Sequence, residues 1–282
     1  MTQPETPVGI FDRDLEPNPA NNRAMSPLSF LPWAATTYPD KVAMIHGDRQ
    51  FTYREFYTRC RRLASALKKR GVGPGDTVAV MSPNAPPMLE AHYGVPMAGA
   101  VLNALNFRLD AAAIAFILEH GEARVLITDR EFSPVIGKAV KQVERELLVI
   151  DVDDPLAEGG ELLGEIDYEG FLATGDESDT WQLPESGWQS ISLNYTSGTT
   201  GNPKGVVYHH QGAYLNALGN ALVFGLSSES VYLWTLPMFH RNRWTYTWAV
   251  PAVAGTHVRL RQTHPARQFA LIAEPGVHHL CS

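Results

Sequence analysis

Cysteine is scarce in this chain, and no long hydrophobic run is present. The 282 residues include two cysteines, Cys60 and Cys281, which are too few and too far apart for a disulfide framework. The longest stretch without formal charge, residues 205–228, is interrupted by histidine, glutamine and asparagine, and such groups are costly to place in hydrocarbon. The N-terminus also lacks the basic start and apolar run of a secretory signal. We therefore expect a globular, cytoplasmic protein with no membrane span.

Lysine and arginine are missing from residues 151–185, although this segment carries 12 of the 30 acidic side chains. The formal net charge of −7 therefore arises largely from one segment and says little about the rest of the surface. A block of carboxylates that also contains glycine and proline is typical of a solvated connector. We interpret residues 151–189 as such a connector, and we expect no nucleic-acid partner.

The segment before the connector has strand patterns that alternate with helical ones. The Gly47-Asp48 pair separates VAMIH from RQFT, which is typical of a hairpin. Thr52 and Glu55 then match a capping box and Gly71 a helix C-cap glycine, which predicts a helix between them. Further along, TVAVM, AVLNAL, RVLIT and LLVIDV alternate with helical patterns. This alternation predicts a parallel sheet covered by helices on both faces.

The same alternation resumes after the connector, with the strand patterns ISLNYT, VVY, VYLWTL, THVRL and VHHL. We therefore predict an α/β fold with two units of mostly parallel sheet flanked by helices. The predicted parts are a disordered lead-in over 1–26, a first α/β subdomain over 27–150, the acidic connector over 151–189 and a second α/β subdomain over 190–282. The second unit stops directly after a strand pattern, so we expect it to be incomplete.

The stretch YTSGTTGNPKG, residues 195–205, is rich in glycine and hydroxyl groups around one lysine. Lys204 is the only lysine or arginine between Arg145 and Arg241. Glycines let the backbone expose its amides, and the serine and threonine side chains add hydroxyl donors. Hydrogen bonds to a charged group contribute roughly 1.5–3 kcal/mol each. The stretch is therefore a candidate cradle for an anion, and the alternative is a flexible turn.

Two common nucleotide-binding motifs do not fit this stretch. A P-loop requires G-x-x-x-x-G-K-[ST] leading into a helix, whereas Gly198 is followed five residues later by Pro203 and then by the strand-like GVVY. The dinucleotide fingerprint G-x-G-x-x-G is missing as well. The histidine pairs at 209–210 and 278–279 lack metal-ligand spacing, so we predict no metal ligand among the side chains.

The ten residues TSGTTGNPKG resemble the phosphate-loop signature of the adenylate-forming, or AMP-dependent, synthetases and ligases. Other segments resemble the large N-terminal domain of that family in the same order: residues 51–84, 95–109, 115–129 and LPMFH at 236–240. The chain is most similar to the acyl-CoA synthetase branch that acts on short- or medium-chain acids, which includes methylmercaptopropionate-CoA ligases.

This resemblance implies an AMP-forming acid–CoA ligase. In that reaction a small carboxylic acid and ATP give an acyl-adenylate and pyrophosphate, and CoA then takes the acyl group as a thioester. ATP and CoA are thus the implied co-substrates, with Mg²⁺ beside the phosphates. The residues implied to contact phosphate are Thr196, Ser197, Gly198, Thr199, Thr200, Gly201 and Lys204.

The same resemblance gives His240 a role, because the histidine of LPMFH borders the acyl pocket and the carboxylate in that family. Trp244 follows one helical turn later and is a candidate for lining the same pocket, although a core position is equally compatible with the sequence. Arg241 and Arg243 depart from the small or neutral residues that relatives carry there. Three interpretations of these two arginines stay open: they reach solvent, they bind an anion such as a dicarboxylate, or they damage the site.

Several motifs of the family have no counterpart up to Ser282: those for adenine, magnesium and ribose, the hinge, and the small domain with the adenylation lysine. We therefore expect a C-terminally truncated chain with little or no ligase activity. The alternative is a non-catalytic fragment that binds a nucleotide or assembles as a homodimer or with a full-length relative. The missing spacing argues against a P-loop kinase or a Rossmann reductase.

Overall fold

The structure is a computed structural model. It describes residues 9–11, 13–18, 20–196, 203–240, 245–261, 265–273 and 276–281. Within these ranges the strands form two sheets, one of seven strands and one of five. None of the helices in this part of the chain is long and apolar enough to cross a membrane.

The seven-stranded sheet has the order β7-β6-β5-β3-β4-β8-β9. All of its neighbouring strands are parallel except β8 and β9, which are antiparallel. Its strands are β3 (Thr77–Met81), β4 (Val101–Ala104), β5 (Ala123–Asp129), β6 (Leu148–Val152), β7 (Ile166–Asp167), β8 (Ser190–Thr196) and β9 (Lys204–His209).

The five-stranded sheet has the order β12-β10-β11-β1-β2. It contains the predicted hairpin, in which β1 and β2 are antiparallel, while its other pairs are parallel. Its strands are β1 (Val42–His46), β2 (Arg49–Thr52), β10 (Val231–Trp234), β11 (Thr256–Arg259) and β12 (His279–Leu280).

Nine helices are present in the part of the chain that the structure describes. They are α1 (Phe30–Thr37), α2 (Tyr53–Lys69), α3 (Pro86–Met97), α4 (Ala111–His120), α5 (Ser133–Val140), α6 (Tyr168–Ala173), α7 (His210–Val223), α8 (Tyr246–Ala252) and α9 (Pro265–Ala273). The predicted capping box of α2 is confirmed, with Thr52 and Glu55 bonding reciprocally. Gly71 follows this helix at φ +72°, as a C-cap glycine does.

The main hydrophobic core lies between buried helices and both sheets. Helix α3 is buried along its whole length, and one continuous cluster joins it to Met44 of β1, Val80 of β3 and Trp234 of β10. Burial on both faces explains why β3 reads as an unbroken apolar run rather than an alternating one. The predicted α/β fold is therefore confirmed.

The two sheets do not follow the two predicted units along the chain. Strand β1, from the first unit, pairs with β11, and its hairpin partner β2 forms the edge of the same sheet. Strands β8 and β9, from the second unit, extend the seven-stranded sheet beside β4. Residues 27–150 and 190–282 thus exchange strands, and their status as separate subdomains stays a proposal. Hydrophobic patterns identify strands but not their distant partners, so this exchange could not be predicted from the pattern of residues.

The acidic connector is tied to the protein by ion pairs, and two of its carboxylates, Asp151 and Asp154, are buried rather than solvated. Helix α2 supplies the basic partners: Arg59 bonds Glu169 at 2.7 Å, Arg62 bonds Glu177 at 2.6 Å and Lys68 bonds Asp179 at 2.7 Å. Asp154 is buried and bonds His46 and Arg261. These partners lie about 100 residues away in the sequence. The composition of the connector alone therefore could not indicate them.

Candidate functional site

The β8–β9 hairpin brings the two described ends of the candidate phosphate stretch together. Thr196 and Lys204 are paired residues of these antiparallel strands, and residues 197–203 connect them. The predicted strand after Lys204 is confirmed, because β9 runs from Lys204 to His209. The side chain of Lys204 is exposed at this edge of the sheet. A hairpin at this point differs from the strand-to-helix turn of a P-loop.

Several predicted site residues lie outside the described residues. They are Ser197, Gly198, Thr199, Thr200, Gly201, Arg241, Arg243 and Trp244. Thr196, Lys204 and His240 are the predicted site residues whose positions can be compared.

A cavity of about 370 Å³ lies beside the hairpin, at the carboxyl ends of β4 and β8. This edge of a parallel sheet is where α/β proteins commonly bind ligands. Thr196 and Pro203 line it from the hairpin, and His240 lines it from the segment that follows β10. Its other lining residues are Asn103, Ala104, Leu105, Asn106, Leu109, Ile117, Asn194, Tyr195, Val206, Tyr208 and Phe239. Among the described residues that line the cavity there is no lysine, arginine, aspartate or glutamate.

His240 comes from the five-stranded sheet, whereas Thr196 and Lys204 belong to the seven-stranded sheet. It is an exposed residue just after Phe239, which is buried and packs its ring against Phe107 with centroids 4.8 Å apart. The cavity is therefore a meeting point of the two sheets, with His240 on one side and the hairpin on the other.

Two buried asparagines hold the segment that carries His240. Asn84, which lies three residues after the end of β3, donates to the carbonyls of Trp234 and Leu236 at 3.2 and 3.1 Å. Its Oδ1 accepts from the amide of Met238 at 2.9 Å. Asn194 of β8 donates to the carbonyl of Phe239 at 3.1 Å. Sequence reasoning missed both residues, although a polar residue at the carboxyl end of a buried strand is a usable signal.

A third buried asparagine, Asn103, lines the cavity from β4. Its side chain is fully buried, and neither its Nδ2 nor its Oδ1 has a partner in the described part of the chain. The Oδ1 of Asn194 also lacks one there. Buried polar groups are normally hydrogen-bonded, so these atoms mark the most polar wall of an otherwise apolar space.

Tyr195 and His120 close the cavity on the side of α4. The Tyr195 hydroxyl shares a 2.7 Å hydrogen bond with Nδ1 of His120. Burial raises the pKa of Tyr195, so the phenol stays protonated at physiological pH. His240 is the one histidine among the described residues that line the cavity.

Comparison with known proteins indicates the same family as the sequence motifs. The chain matches the model for the family described as AMP-binding enzyme over residues 31–282. It is 47% identical to the peroxisomal acetate/butyrate–CoA ligase of Arabidopsis thaliana, over 95% of this chain and 49% of the relative. It is 46% identical to an acetate–CoA ligase of Humulus lupulus, over 98% of this chain and 50% of the relative. The chain therefore spans about half the length of the curated relatives it matches.

Solved structures show the same fold. An anthranilate CoA ligase in complex with anthranoyl-AMP superposes with a TM-score of 0.83 at 21% identity, covering 94% of this chain and 51% of that one. A long-chain-fatty-acid CoA ligase assigned in Rhodopseudomonas palustris gives 0.80 at 22% identity, covering 92% and 63%. The fold is that of the N-terminal part of adenylate-forming CoA ligases, and the match over residues 31–282 shows that the chain belongs to the AMP-binding enzyme family.

Proposed function

We propose that this chain supplies the phosphate-binding hairpin and one wall of the acid site of an AMP-forming acid–CoA ligase. The observation that carries the proposal is the meeting of Thr196, Lys204 and His240 around one edge of the seven-stranded sheet. Family membership and the two curated relatives that are named acid–CoA ligases support it.

In the first step, a carboxylate oxygen attacks the α-phosphorus of ATP. A bond forms between that oxygen and phosphorus, the bond to the bridging oxygen of the β-phosphate breaks, and pyrophosphate leaves. Lys204, together with the hydroxyls and amides of residues 196–201, would stabilise the negative charge that moves onto pyrophosphate. His240 would border the carboxylate, and Trp244 the acyl chain.

In the second step, the sulfur of CoA attacks the acyl carbon and AMP leaves, which gives the thioester.

We propose a short monocarboxylic acid as substrate, since the two relatives are named for acetate and butyrate. The described residues that line the cavity carry no formal charge, which suits a small neutral acyl group better than a second carboxylate.

Mg²⁺ belongs to the proposal only as the counterion of ATP. The described residues contain no group of three histidine, cysteine, aspartate or glutamate side chains that could hold a metal ion.

Lys204→Ala tests the phosphate site directly. Binding of MgATP to the 282-residue chain, measured by calorimetry, should weaken about 10- to 100-fold, because a charge-assisted hydrogen bond contributes about 1.5–3 kcal/mol. The matched control is Lys138→Ala, which removes an exposed lysine from α5 and should leave the affinity unchanged. Equal affinities for the two variants would contradict the assignment of Lys204.

The complete reaction has its own test. The chain is incubated with MgATP, CoA and a panel of acids from acetate to hexanoate, and adenylate and thioester are measured separately. A preference for acetate or butyrate supports the substrate class, and turnover of dicarboxylates alone would overturn it. We expect low thioester formation, since the chain spans about half of its relatives.

Location and assembly are proposals as well. We propose a cytoplasmic location, although the relative from Arabidopsis thaliana is named peroxisomal. Self-association, or pairing with a full-length relative, is tested by light scattering on the purified chain alone and in a mixture.

A further inference from the structure

We propose that Asn84 is a positioning residue for His240. The proposal rests on the proposed function only in taking His240 as part of the acid site. Asn84 is not among the described residues that line the cavity, and it acts through the main chain of the segment between β10 and His240.

The contacts are concentrated on that one segment. The side chain of Asn84 bonds three main-chain groups within five residues: the carbonyls of Trp234 and Leu236 and the amide of Met238. Its donor and acceptor are therefore both used, and the residue is 6% exposed. A carboxamide is the side chain that offers both functions at one position.

The bonds also cross between sheets. Asn84 follows β3 near the middle of the seven-stranded sheet, whereas the bonded segment leaves β10 of the five-stranded sheet. Main-chain groups in this partly buried segment need partners, and removing the asparagine takes a side-chain partner from three of them. Asn84 thus fixes where the chain turns before His240, and Asn194 adds one bond at Phe239.

The turn itself is compact. The amide of His240 donates to the carbonyl of Pro237 at 3.3 Å, so the position of His240 depends on the residues that Asn84 holds. Loss of the Met238 contact would release the middle of this turn. Substitutions at Asn84 should therefore move the imidazole of His240, which lies two residues after Met238.

The test uses the whole chain and does not require catalysis. The imidazole signals are recorded by NMR, with that of His240 assigned through His240→Gln. Asn84→Ala should shift the His240 signal and speed hydrogen exchange at the Met238 amide. Asn84→Ser adds no charge and keeps a hydroxyl that can both donate and accept, so it should give a smaller shift and remain foldable.

The matched control is Ile136→Ala, a fully buried residue of a separate core cluster. It should lower stability without moving the His240 signal. If Asn84→Ala speeds exchange at Met238 but leaves the His240 signal at its original position, Asn84 holds the segment alone and the positioning role is overturned. The same holds if Ile136→Ala moves the signal equally.

A binding measurement links the residue to the acid site. Asn84→Ala should weaken binding of a butyryl sulfamoyl adenosine, a stable mimic of the acyl-adenylate, by about tenfold, the factor that one lost hydrogen bond of about 1.4 kcal/mol would give. No measurable binding by the unmodified chain would count against the proposed function, and the NMR result would still decide the role of Asn84. If the unmodified chain binds the mimic and Asn84→Ala binds it with the same affinity, the positioning role of Asn84 is overturned.

Discussion

Both terminal nitrogens of Arg261 donate to the carboxylate of Asp129, at 2.6 and 2.8 Å. Asp129 ends β5 of the seven-stranded sheet, and Arg261 lies just after β11 of the five-stranded sheet. Glu131 and Asp154 accept further bonds from the same guanidinium. Burial alone would lower the pKa of Arg261, but its bonds to Asp129 outweigh burial and raise it, so the group stays charged. One cation thus joins the two sheets.

Arg261→Ala should destabilise the protein by about 3–5 kcal/mol, because it leaves the buried carboxylate of Asp129 without its main partner. Urea unfolding at pH 7 measures the change. Arg54→Ala is the control, since Arg54 and Asp40 form a pair with 64% and 86% exposed side chains and should contribute less than about 1 kcal/mol. A loss at Arg261 no larger than that at Arg54 would show that the ion network adds little.

Sequence reasoning identified the elements better than their arrangement. The capping box of α2, the first hairpin and the strand after Lys204 each depend on neighbouring residues, so they could be read locally. The exchange of strands between sheets and the salt bridges of the connector depend on residues far apart in sequence. At the candidate site, motif likeness singled out Lys204 and His240. It did not identify Asn84, whose partners become visible only in the fold.

His210 should make stability depend on pH. Burial, with a smaller effect of His209, lowers its pKa from the ordinary 6.5 to about 4. The unfolded chain therefore takes up a proton below about pH 6.5 while the folded chain does not. The contribution is complete above that pH and is lost as pH falls toward 4.

The loss from this group between pH 7 and 5 should be on the order of 2 kcal/mol. Urea unfolding at several pH values should show a smaller decrease for His210→Gln than for the unmodified chain. His278→Gln, at an exposed position, should retain the full decrease. Parallel curves for all three proteins would argue against a neutral, buried His210.

Gly94 should tolerate no side chain, because α3 crosses α2 there. A Cβ at this position would lie 2.7 Å from Cδ2 of Leu63. Gly94→Ala should cost about 1–3 kcal/mol through overpacking, although alanine favours helices. The comparison is Gly219→Ala in α7, where a Cβ would meet no atom within 4 Å among the described residues outside its own helix turn. A gain of up to about 1 kcal/mol is expected there. Thermal unfolding separates the two, and a gain at both positions would rule out the steric conflict.

Replacement of buried asparagines by leucine should have opposite effects at two positions. Asn103→Leu removes amide atoms that have no partner in the described chain, so stability should stay equal or rise by about 1 kcal/mol. Asn84→Leu removes the side-chain partner of three main-chain groups. If only one of these groups is left unsatisfied, the free energy of unfolding should fall by about 1–3 kcal/mol. Chemical unfolding of both variants gives the comparison. A large loss at Asn103 would indicate a bonded group there, such as an ordered water.

The pairing of β1 with β11 has a consequence for biosynthesis. Thr256 bonds the carbonyl of Val42, and the two residues are 214 positions apart. The first hairpin therefore leaves the ribosome long before the strand that will lie beside it. Until then, one edge of β1 and its apolar residues have nothing to pair with, and such edges attract other chains. The five-stranded sheet must assemble late, and its slowest step is closure of this long loop rather than formation of any single strand.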